Sequence, residues 1–458
     1  MNIADNFTNI ANKYHQKEAV RFPQRVGKNY RYDSITFGEL ETLSNKYANG
    51  LSKIGFTRGC KTLLFIRPSL QFHALVFALF KLGVVPVLID PGMGMKNLLA
   101  AVEEIAPQGL IAEPEVHLLS LICRRAFKSI KFKVTTKGPQ ILGYFPLKVL
   151  ERSQEKFTAV AMAADEMAAI LFTSGGTGRP KGVVYTHKIF CEQTRILQEL
   201  FGLSDGEVDL PCFPLFSLFT LCMGMTSCIP DMDAARPSKA DPLKLLQNIN
   251  DNKVTFVAGS PAIWERLANY CQKNSIKLPY VTYVVMFGAP VRNEIHKMFH
   301  NILPNGTTYT PYGATECLPI SNISGKLILA QTATLTEEGK GTCVGKPVSG
   351  VKVSIISIDD GIIADIKQAQ RLATNQIGEI IVQGKVVTAS YYQASAETSQ
   401  AKIFDNDSIW HRTGDLGYTD DEGRIWFCGR KTHRAETPLG LVCSVTSEAI
   451  FNTHRGIR

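Results

Sequence analysis

The chain has 458 residues, a length that suggests about three domains or subdomains. Hydrophobic residues make up 45% and charged residues 20%, a globular composition that excludes disordered, collagen-like and coiled-coil chains. The formal net charge of +9 is mild over this length. It suits anionic substrates or an acidic lipid surface, and it is too weak to predict a nucleic-acid partner.

The cysteines and the apolar runs bear on the cellular location. Eleven cysteines are scattered without any Cys-x-x-Cys spacing, so we expect reduced thiols and a cytoplasmic protein. The polar N-terminus lacks the apolar core of a signal peptide. The longest apolar runs, 75–89 and 215–229, fall short of the roughly 18 uninterrupted apolar residues of a spanning helix.

The N-terminal region is predicted to contain a capped helix and then a βαβ unit. Thr36 and Glu39 have the spacing of a capping box, in front of a segment with apolar side chains on one helical face. An apolar strand at 63–66, a helix at 69–82 and a second strand at 85–89 follow. This order implies a parallel sheet that is covered by helices.

A basic run follows this unit. Its members are Arg124, Arg125, Lys128, Lys131, Lys133 and Lys137, with Phe127 and Phe132 between them. A solvated protein surface is the ordinary interpretation of such a run. Attraction to an anionic membrane surface is the alternative, and the sequence leaves both open.

The strand–helix alternation returns further along the chain. It gives strands at 168–172, 254–258 and 283–287, and helices at 261–272 and 292–299. From about residue 346, short alternating runs between turn residues predict antiparallel strands at 351–356, 379–382 and 425–428. The predicted fold class is therefore α/β, with parallel sheets flanked by helices and a smaller β subdomain.

A glycine-rich string follows the strand at 168–172. It reads Thr173-Ser174-Gly175-Gly176-Thr177-Gly178-Arg179-Pro180-Lys181-Gly182. Glycines let backbone N–H groups turn toward an anion, while hydroxyls and Lys181 add donors and charge, so the string predicts a polyphosphate cradle. It is not a Walker A loop, because Pro180 and Gly182 stand where that motif needs Gly and Ser or Thr.

A histidine pair at helical spacing is set aside. His296 and His300 are four residues apart, which suits a metal. Lys297 between them indicates a solvent-facing side of the helix, so no metal site is predicted there.

The glycine-rich string resembles the signature of the acyl-adenylate-forming superfamily, the AMP-dependent synthetases and ligases. Four further segments resemble motifs of that superfamily in the same chain order, namely Phe287-Gly288-Ala289-Pro290, Pro311-Tyr312-Gly313-Ala314-Thr315-Glu316, Trp410-His411-Arg412-Thr413-Gly414-Asp415 and Gly429-Arg430. The chain departs from the signature at Gly176, where a serine or threonine is usual.

The resemblance implies ATP and Mg²⁺ as cofactors and assigns roles to the matching residues. Lys181, Thr315 and Glu316 are expected to be catalytic, with Glu316 as the Mg²⁺ ligand. Tyr312 would stack on adenine, and Asp415 would hold the ribose hydroxyls. The residues expected to bind the nucleotide are Thr173, Ser174, Gly175, Gly176, Thr177, Gly178, Gly288, Ala289, Pro290, Tyr312, Gly313, Asp415 and Arg430.

Shorter segments at 90–98, 214–217 and 427–434 resemble one branch, the β-lactone synthetases of bacterial long-chain olefin biosynthesis. The branch implies activation of a long-chain fatty or β-hydroxy fatty acid as acyl-AMP, followed by β-lactone formation. A fatty-acyl-CoA ligase, in which the CoA thiol attacks the same acyl-AMP, is the alternative. Candidate walls of the acyl pocket are Phe213, Phe216, Leu218, Trp264 and Met286, and ordinary core packing explains each of them equally well.

The resemblance also sets the expected domains. Residues 1–428 would form the N-terminal AMP-binding domain, with 346–428 as its smaller β subdomain, and 429–458 would be the remnant of a truncated C-terminal lid. The lid lysine of the family would then lie beyond Arg458. A nucleotide-binding remnant with little turnover is therefore a third interpretation. A membrane or pathway enzymes are candidate peripheral partners, and nucleic acid is not expected.

Overall fold

A computed structural model describes residues 2–139, 143–173, 180–438, 440–453 and 456. The chain divides into two compact units. The first comprises Met1–Ala235 together with Tyr391–Gln393, and the second comprises Arg236–Ser390 and Ala394–Arg458. A short return segment from late in the chain thus completes the first unit.

The first unit alternates helices and strands. Its helices are α1 Ile3–Lys13, α2 Phe37–Ile54, α3 Leu70–Leu82, α4 Met95–Ile105, α5 Pro114–Ile122, α6 Leu147–Leu150, α7 His187–Phe201 and α8 Ser217–Cys222. Its strands are β1 Glu18–Val26, β2 Asn29–Thr36, β3 Lys61–Phe65, β4 Val85–Leu88, β5 Gly109–Ala112, β6 Phe132–Thr135, β7 Phe145–Pro146, β8 Met167–Thr173, β9 Lys181–Thr186, β10 Val208–Pro211 and β11 Thr226–Cys228.

The predicted capping box and βαβ unit are confirmed. The Thr36 hydroxyl accepts from the Glu39 amide at 3.2 Å, and the Glu39 carboxylate accepts from the Thr36 amide at 2.8 Å. Helix α3 joins β3 to β4, which pair in parallel. The sheet around them runs β7-β6-β5-β3-β4-β8-β9 in the described residues, and only the β8–β9 pair is antiparallel.

The second unit combines parallel and antiparallel strands. Its helices are α9 Pro242–Asn252, α10 Pro261–Lys273, α11 Asn293–Ile302, α12 Gly325–Leu327, α13 Ala333–Glu337, α14 Ser395–Ala401 and α15 Ser444–Thr453. Its strands are β12 Phe256–Gly259, β13 Tyr283–Met286, β14 Thr307–Tyr309, β15 Tyr312–Ala314, β16 Cys317–Asn322, β17 Thr342–Pro347, β18 Val351–Ile356, β19 Gly378–Gly384, β20 Lys402–Asp405, β21 Ser408–Thr419, β22 Ile425–Arg430, β23 Ala435–Thr437 and β24 Gly440–Val442.

Strands β12, β13 and β14 pair in parallel, with helices α10 and α11 between them along the chain. An antiparallel sheet follows in the order β15-β16-β17-β22-β21-β19-β18, with β20 on β21. The expected α/β class with parallel sheets is therefore confirmed. No helix in the described ranges is long and apolar enough to cross a membrane.

The expectation that the helix carrying His296 shows that side to solvent is wrong. His296 lies in α11 and is buried, and its Nδ1 is 2.6 Å from the Thr308 hydroxyl. Burial lowers its pKa to about 4, so the ring is neutral at physiological pH. Thr308 lies in β14, and the contact fixes the helix on that strand.

Candidate active site

The ends of the glycine-rich string are placed by the β8–β9 hairpin. Thr173 ends β8 and pairs with Lys181 at the start of β9. Tyr391 of the return segment forms a bridge with Val183, and its ring centroid lies 5.3 Å from the Lys181 Nζ. The predicted phosphate-binding residues Ser174, Gly175, Gly176, Thr177 and Gly178 lie outside the described residues.

Two of the nucleotide residues predicted in the second unit, Tyr312 and Arg430, contact a third, Asp415. The Tyr312 hydroxyl donates to the Asp415 carboxylate at 2.7 Å, and Arg430 pairs with the other carboxylate oxygen at 2.9 Å. The sheet places Arg430 beside Asp415, because Asp415 in β21 is in register with Arg430 in β22. Burial raises the pKa of Asp415, while the charge of Arg430 and the Tyr312 hydroxyl oppose the rise.

A buried ion pair anchors the strand that carries Asp415. Arg412 in β21 contacts the Glu379 carboxylate of β19 at 2.6 Å, and both side chains are fully enclosed. Lys431 adds a second cation to the same carboxylate at 3.1 Å. Removing one partner of such a pair would leave an uncompensated buried charge, so substitution of either residue alone is expected to destabilise the sheet.

Thr315 and Glu316 form the tip of the β15–β16 hairpin, since Ala314 pairs with Cys317 on either side of them. Both side chains are half-buried. The Glu316 carbonyl accepts from the backbone amide of Thr388 at 2.9 Å and from its hydroxyl at 3.2 Å. This clamp fixes the backbone of the tip and presents a carboxylate, a hard oxygen ligand of the kind that Mg²⁺ prefers.

The preceding glycine allows the hairpin to close. A Cβ atom on Gly313 would lie 2.7 Å from the Cys317 carbonyl oxygen, a distance that real Cβ atoms do not tolerate. Gly288, on the exposed turn after β13, needs glycine for a different reason, because its φ is +89°. Ala289 and Pro290 follow on the same exposed turn.

Lys402 is a buried neighbour of the Glu316 hairpin that the sequence analysis missed. It begins β20, is 2% exposed, and its Nζ is 3.4 Å from the Thr388 hydroxyl. Burial lowers its pKa to about 8, and the negative charge of Glu316 opposes this effect. Thr388 thus contacts both Glu316 and Lys402. No sequence signal marks Lys402, because an isolated lysine before an alternating strand is usually exposed.

The candidate acyl-pocket residues differ in their environment. Phe213 is 48% exposed, whereas Phe216, of the same unit, is buried. In the second unit Trp264 of α10 and Met286 of β13 are also buried. The Trp264 indole N–H finds no hydrogen-bond partner within the described part of the chain. Each buried position fits core packing as well as a pocket wall.

A buried polar pair lies beside these phenylalanines. The Nε2 of His73 is 2.7 Å from the hydroxyl of Ser217, and both side chains are enclosed. Burial lowers the pKa of His73 to about 4, so the ring is neutral. Sequence analysis singled out neither His73 nor this contact, because the two residues are 144 positions apart.

Comparison with known proteins assigns the family. The profile of the family described as "AMP-binding enzyme" matches residues 7–392. The chain belongs to the AMP-binding enzyme family. It is 42% identical over 469 aligned positions to an olefin β-lactone synthetase of Stenotrophomonas maltophilia, covering 100% of this chain and 84% of that protein. It is therefore a ligase or synthetase of the adenylate-forming type.

More distant relatives agree with this family. The AMP-binding enzyme is 26% identical to 4-coumarate–CoA ligase 5 of Oryza sativa subsp. japonica, over 93% of this chain and 76% of that one. Its fold is similar to a long-chain-fatty-acid–CoA ligase of Archaeoglobus fulgidus, with a TM-score of 0.79 and 20% identity. That comparison covers 100% of this chain and 87% of the other.

Proposed function

We propose that this chain uses ATP to activate a long-chain β-hydroxy fatty acid as acyl-AMP and then closes it to a β-lactone. The observation that carries the proposal is the 42% identity to an olefin β-lactone synthetase across the whole chain. Chain length and the need for the hydroxyl are part of the proposal.

The first step makes a mixed anhydride. A carboxylate oxygen of the acid attacks the α-phosphorus of ATP, and pyrophosphate leaves. Asp415 accepts hydrogen bonds from the ribose hydroxyls, and the Tyr312 ring, held by Asp415 at 2.7 Å, stacks on the adenine. Lys181 and the Thr315 hydroxyl bind the phosphates and stabilise the negative charge that develops there in the transition state.

Glu316 would hold the magnesium ion of MgATP. A single protein carboxylate suffices, because Mg²⁺ commonly takes one or two carboxylates and completes its shell with phosphates and water. The clamped, half-buried tip of the β15–β16 hairpin fits that demand. The ion supplies charge neutralisation on the phosphates when bound.

The second step needs no second substrate. The β-hydroxyl oxygen attacks the activated carbonyl carbon, loses its proton, and expels AMP. Because the nucleophile is part of the same molecule, the enzyme can accelerate this step by holding the acyl-AMP in the conformer that brings the hydroxyl to the carbonyl. An apolar pocket that excludes water would also protect the acyl-AMP from hydrolysis.

Product analysis tests the proposal. The purified chain is incubated with MgATP and a β-hydroxy fatty acid, with and without CoA, and a fatty acid of equal length without the hydroxyl is the matched control. We expect AMP, pyrophosphate and a product with the mass of the acid less one water, independent of CoA. A thioester that forms only with CoA would replace the proposal by an acyl-CoA ligase. Bound nucleotide without acid-dependent pyrophosphate exchange would indicate a nucleotide-binding protein without turnover.

A further inference from the structure

The outer face of helix α5 carries three exposed aliphatic side chains, with the exposed Glu115 one turn before them on the same face. Leu118 is 61% exposed, Leu121 is 48% exposed and Ile122 is 73% exposed. Their spacing places them together on one side of the helix. The opposite side packs inward, where His117 is buried and its Nε2 lies 3.0 Å from the Val134 carbonyl.

The chain that leaves this helix is strongly basic. Arg124, Arg125 and Lys128 are exposed and follow within six residues of Ile122. Arg125 makes a surface pair with Glu103 at 2.9 Å, and Arg124 contacts the Leu121 carbonyl at 3.3 Å. From 114 to 139 the chain has six basic residues and one acidic residue. The apolar face and these three cations are called the α5 patch below.

We propose that the α5 patch binds the surface of an anionic lipid bilayer. Exposed aliphatic side chains beside a cluster of cations match the two layers of such a surface, the acyl boundary and the charged headgroups. Isolated exposed leucines are ordinary, but three on one helical face next to clustered cations are a recognition surface. A neutral protein partner would not use the charge, and a nucleic acid would not use the aliphatic face.

The binding is peripheral and reversible. Each basic residue near an anionic surface contributes roughly fivefold to binding, and this contribution is screened beyond about 8 Å at physiological salt. The three aliphatic side chains add apolar insertion, a contribution that does not itself depend on salt. The proposal is independent of the reaction, because vesicle binding requires neither ATP nor an acid.

Vesicle sedimentation of the full chain tests the proposal. Mixed phosphatidylcholine and phosphatidylglycerol vesicles are compared with pure phosphatidylcholine vesicles, without nucleotide or fatty acid. We expect binding to the mixed vesicles, weak binding to the neutral ones, and release when salt is raised to about 1 M. Arg124→Ala combined with Lys128→Ala should weaken binding by roughly 25-fold. Leu118→Ser combined with Ile122→Ser should lower binding and leave its salt dependence intact.

The matched control is Lys352→Ala combined with Lys367→Ala, two exposed lysines of the second unit. This variant should bind like the wild type. Equal binding to neutral and anionic vesicles, no binding at all, or an equal loss in the control overturns the proposal. Self-association of the chain without vesicle binding also overturns it, because a second copy would then cover the face. The comparison of vesicle types on the wild-type protein needs no variant, so misfolding cannot obscure the answer.

Discussion

Asp415→Ala is expected to weaken ATP binding by about 1.5–3 kcal/mol, the usual contribution of hydrogen bonds to a charged group. A carboxylate has about four acceptor positions. The Tyr312 hydroxyl occupies one at 2.7 Å, whereas the other oxygen lies 2.9 Å from Arg430 in an ion pair and accepts no hydrogen bond from the described residues, so acceptor positions remain for the ribose hydroxyls. Asp415→Asn keeps one carbonyl acceptor, so we place it at the low end of the range and Asp415→Ala at the high end.

Calorimetry on the full chain measures this difference. The range corresponds to a loss of roughly 10- to 150-fold in affinity. Asp405→Ala is the matched control, because Asp405 lies in the same sheet and accepts from the Trp410 indole at 2.9 Å, away from the proposed ribose contact. Melting temperatures establish that each variant is folded. Equal ATP affinity of wild type and Asp415→Ala would refute the reasoning, and so would an equal loss in Asp405→Ala.

Three further predictions concern the stability of the folded chain. Lys402→Met should raise the melting temperature at pH 7, because the lowered pKa of about 8 means that keeping this buried lysine charged destabilises the fold. This destabilisation disappears as the pH rises from 8 toward 10.5. The melting temperatures of wild type and variant should therefore converge near pH 10.5. Gly288→Ala should lower the free energy of unfolding by about 1–2 kcal/mol, because the φ of this residue is +89°. Gly206→Ala is the control and should leave the stability unchanged in the same denaturation assay, because an added Cβ there meets only a Ser204 side-chain atom at 3.7 Å. Burial raises the pKa of Asp209, in β10, to about 7, so the free energy of unfolding of the wild type should fall by up to about 4 kcal/mol as the pH rises from 4 to 7. Asp209→Asn should flatten this pH dependence of stability. Parallel pH dependences of wild type and variant would contradict the raised pKa of Asp209.

Features fixed by neighbouring residues were predictable from the sequence. The capping box at Thr36 needs only residues three positions apart, and its two hydrogen bonds are present. The βαβ unit around α3 was also predicted, because its apolar strands and its buried helix are visible as largely apolar runs. Boundaries differ by one or two residues, since the strand predicted at 63–66 is Lys61–Phe65.

Buried charge was not predictable. Lys81 interrupts the apolar run at 75–89, yet its side chain is 1% exposed and its Nζ is 2.6 Å from Glu41. Lys402 is likewise enclosed, and so is the neutral ring of His296, each with a partner on another element or remote in sequence. A charged residue reveals its burial only through its partners, and the pairing is a tertiary property.

The proposed site also combines features that the sequence predicts with features that only the tertiary structure reveals. Tyr312 and Asp415 are 103 residues apart, on strands that are not neighbours in the antiparallel sheet, so their contact is made only by the tertiary fold. Resemblance to a family named both residues, whereas periodicity alone would have left them unconnected. The Thr388 clamp on Glu316 had no signature in the sequence at all. The roles of these residues in nucleotide binding stay predictions until the variants are measured.

The return segment has a consequence for synthesis on the ribosome. Tyr391–Gln393 belongs to the first unit, where the Tyr392 amide donates to the Gly182 carbonyl at 2.7 Å and its hydroxyl accepts from Lys61 at 2.7 Å. When residue 235 emerges, the edge strand β9 therefore still lacks part of its hydrogen bonding. Residues 236–390 must be translated before that edge is covered. The nascent chain thus holds an open strand edge until Tyr391 has been added, a period in which a holdase chaperone would have a site to bind.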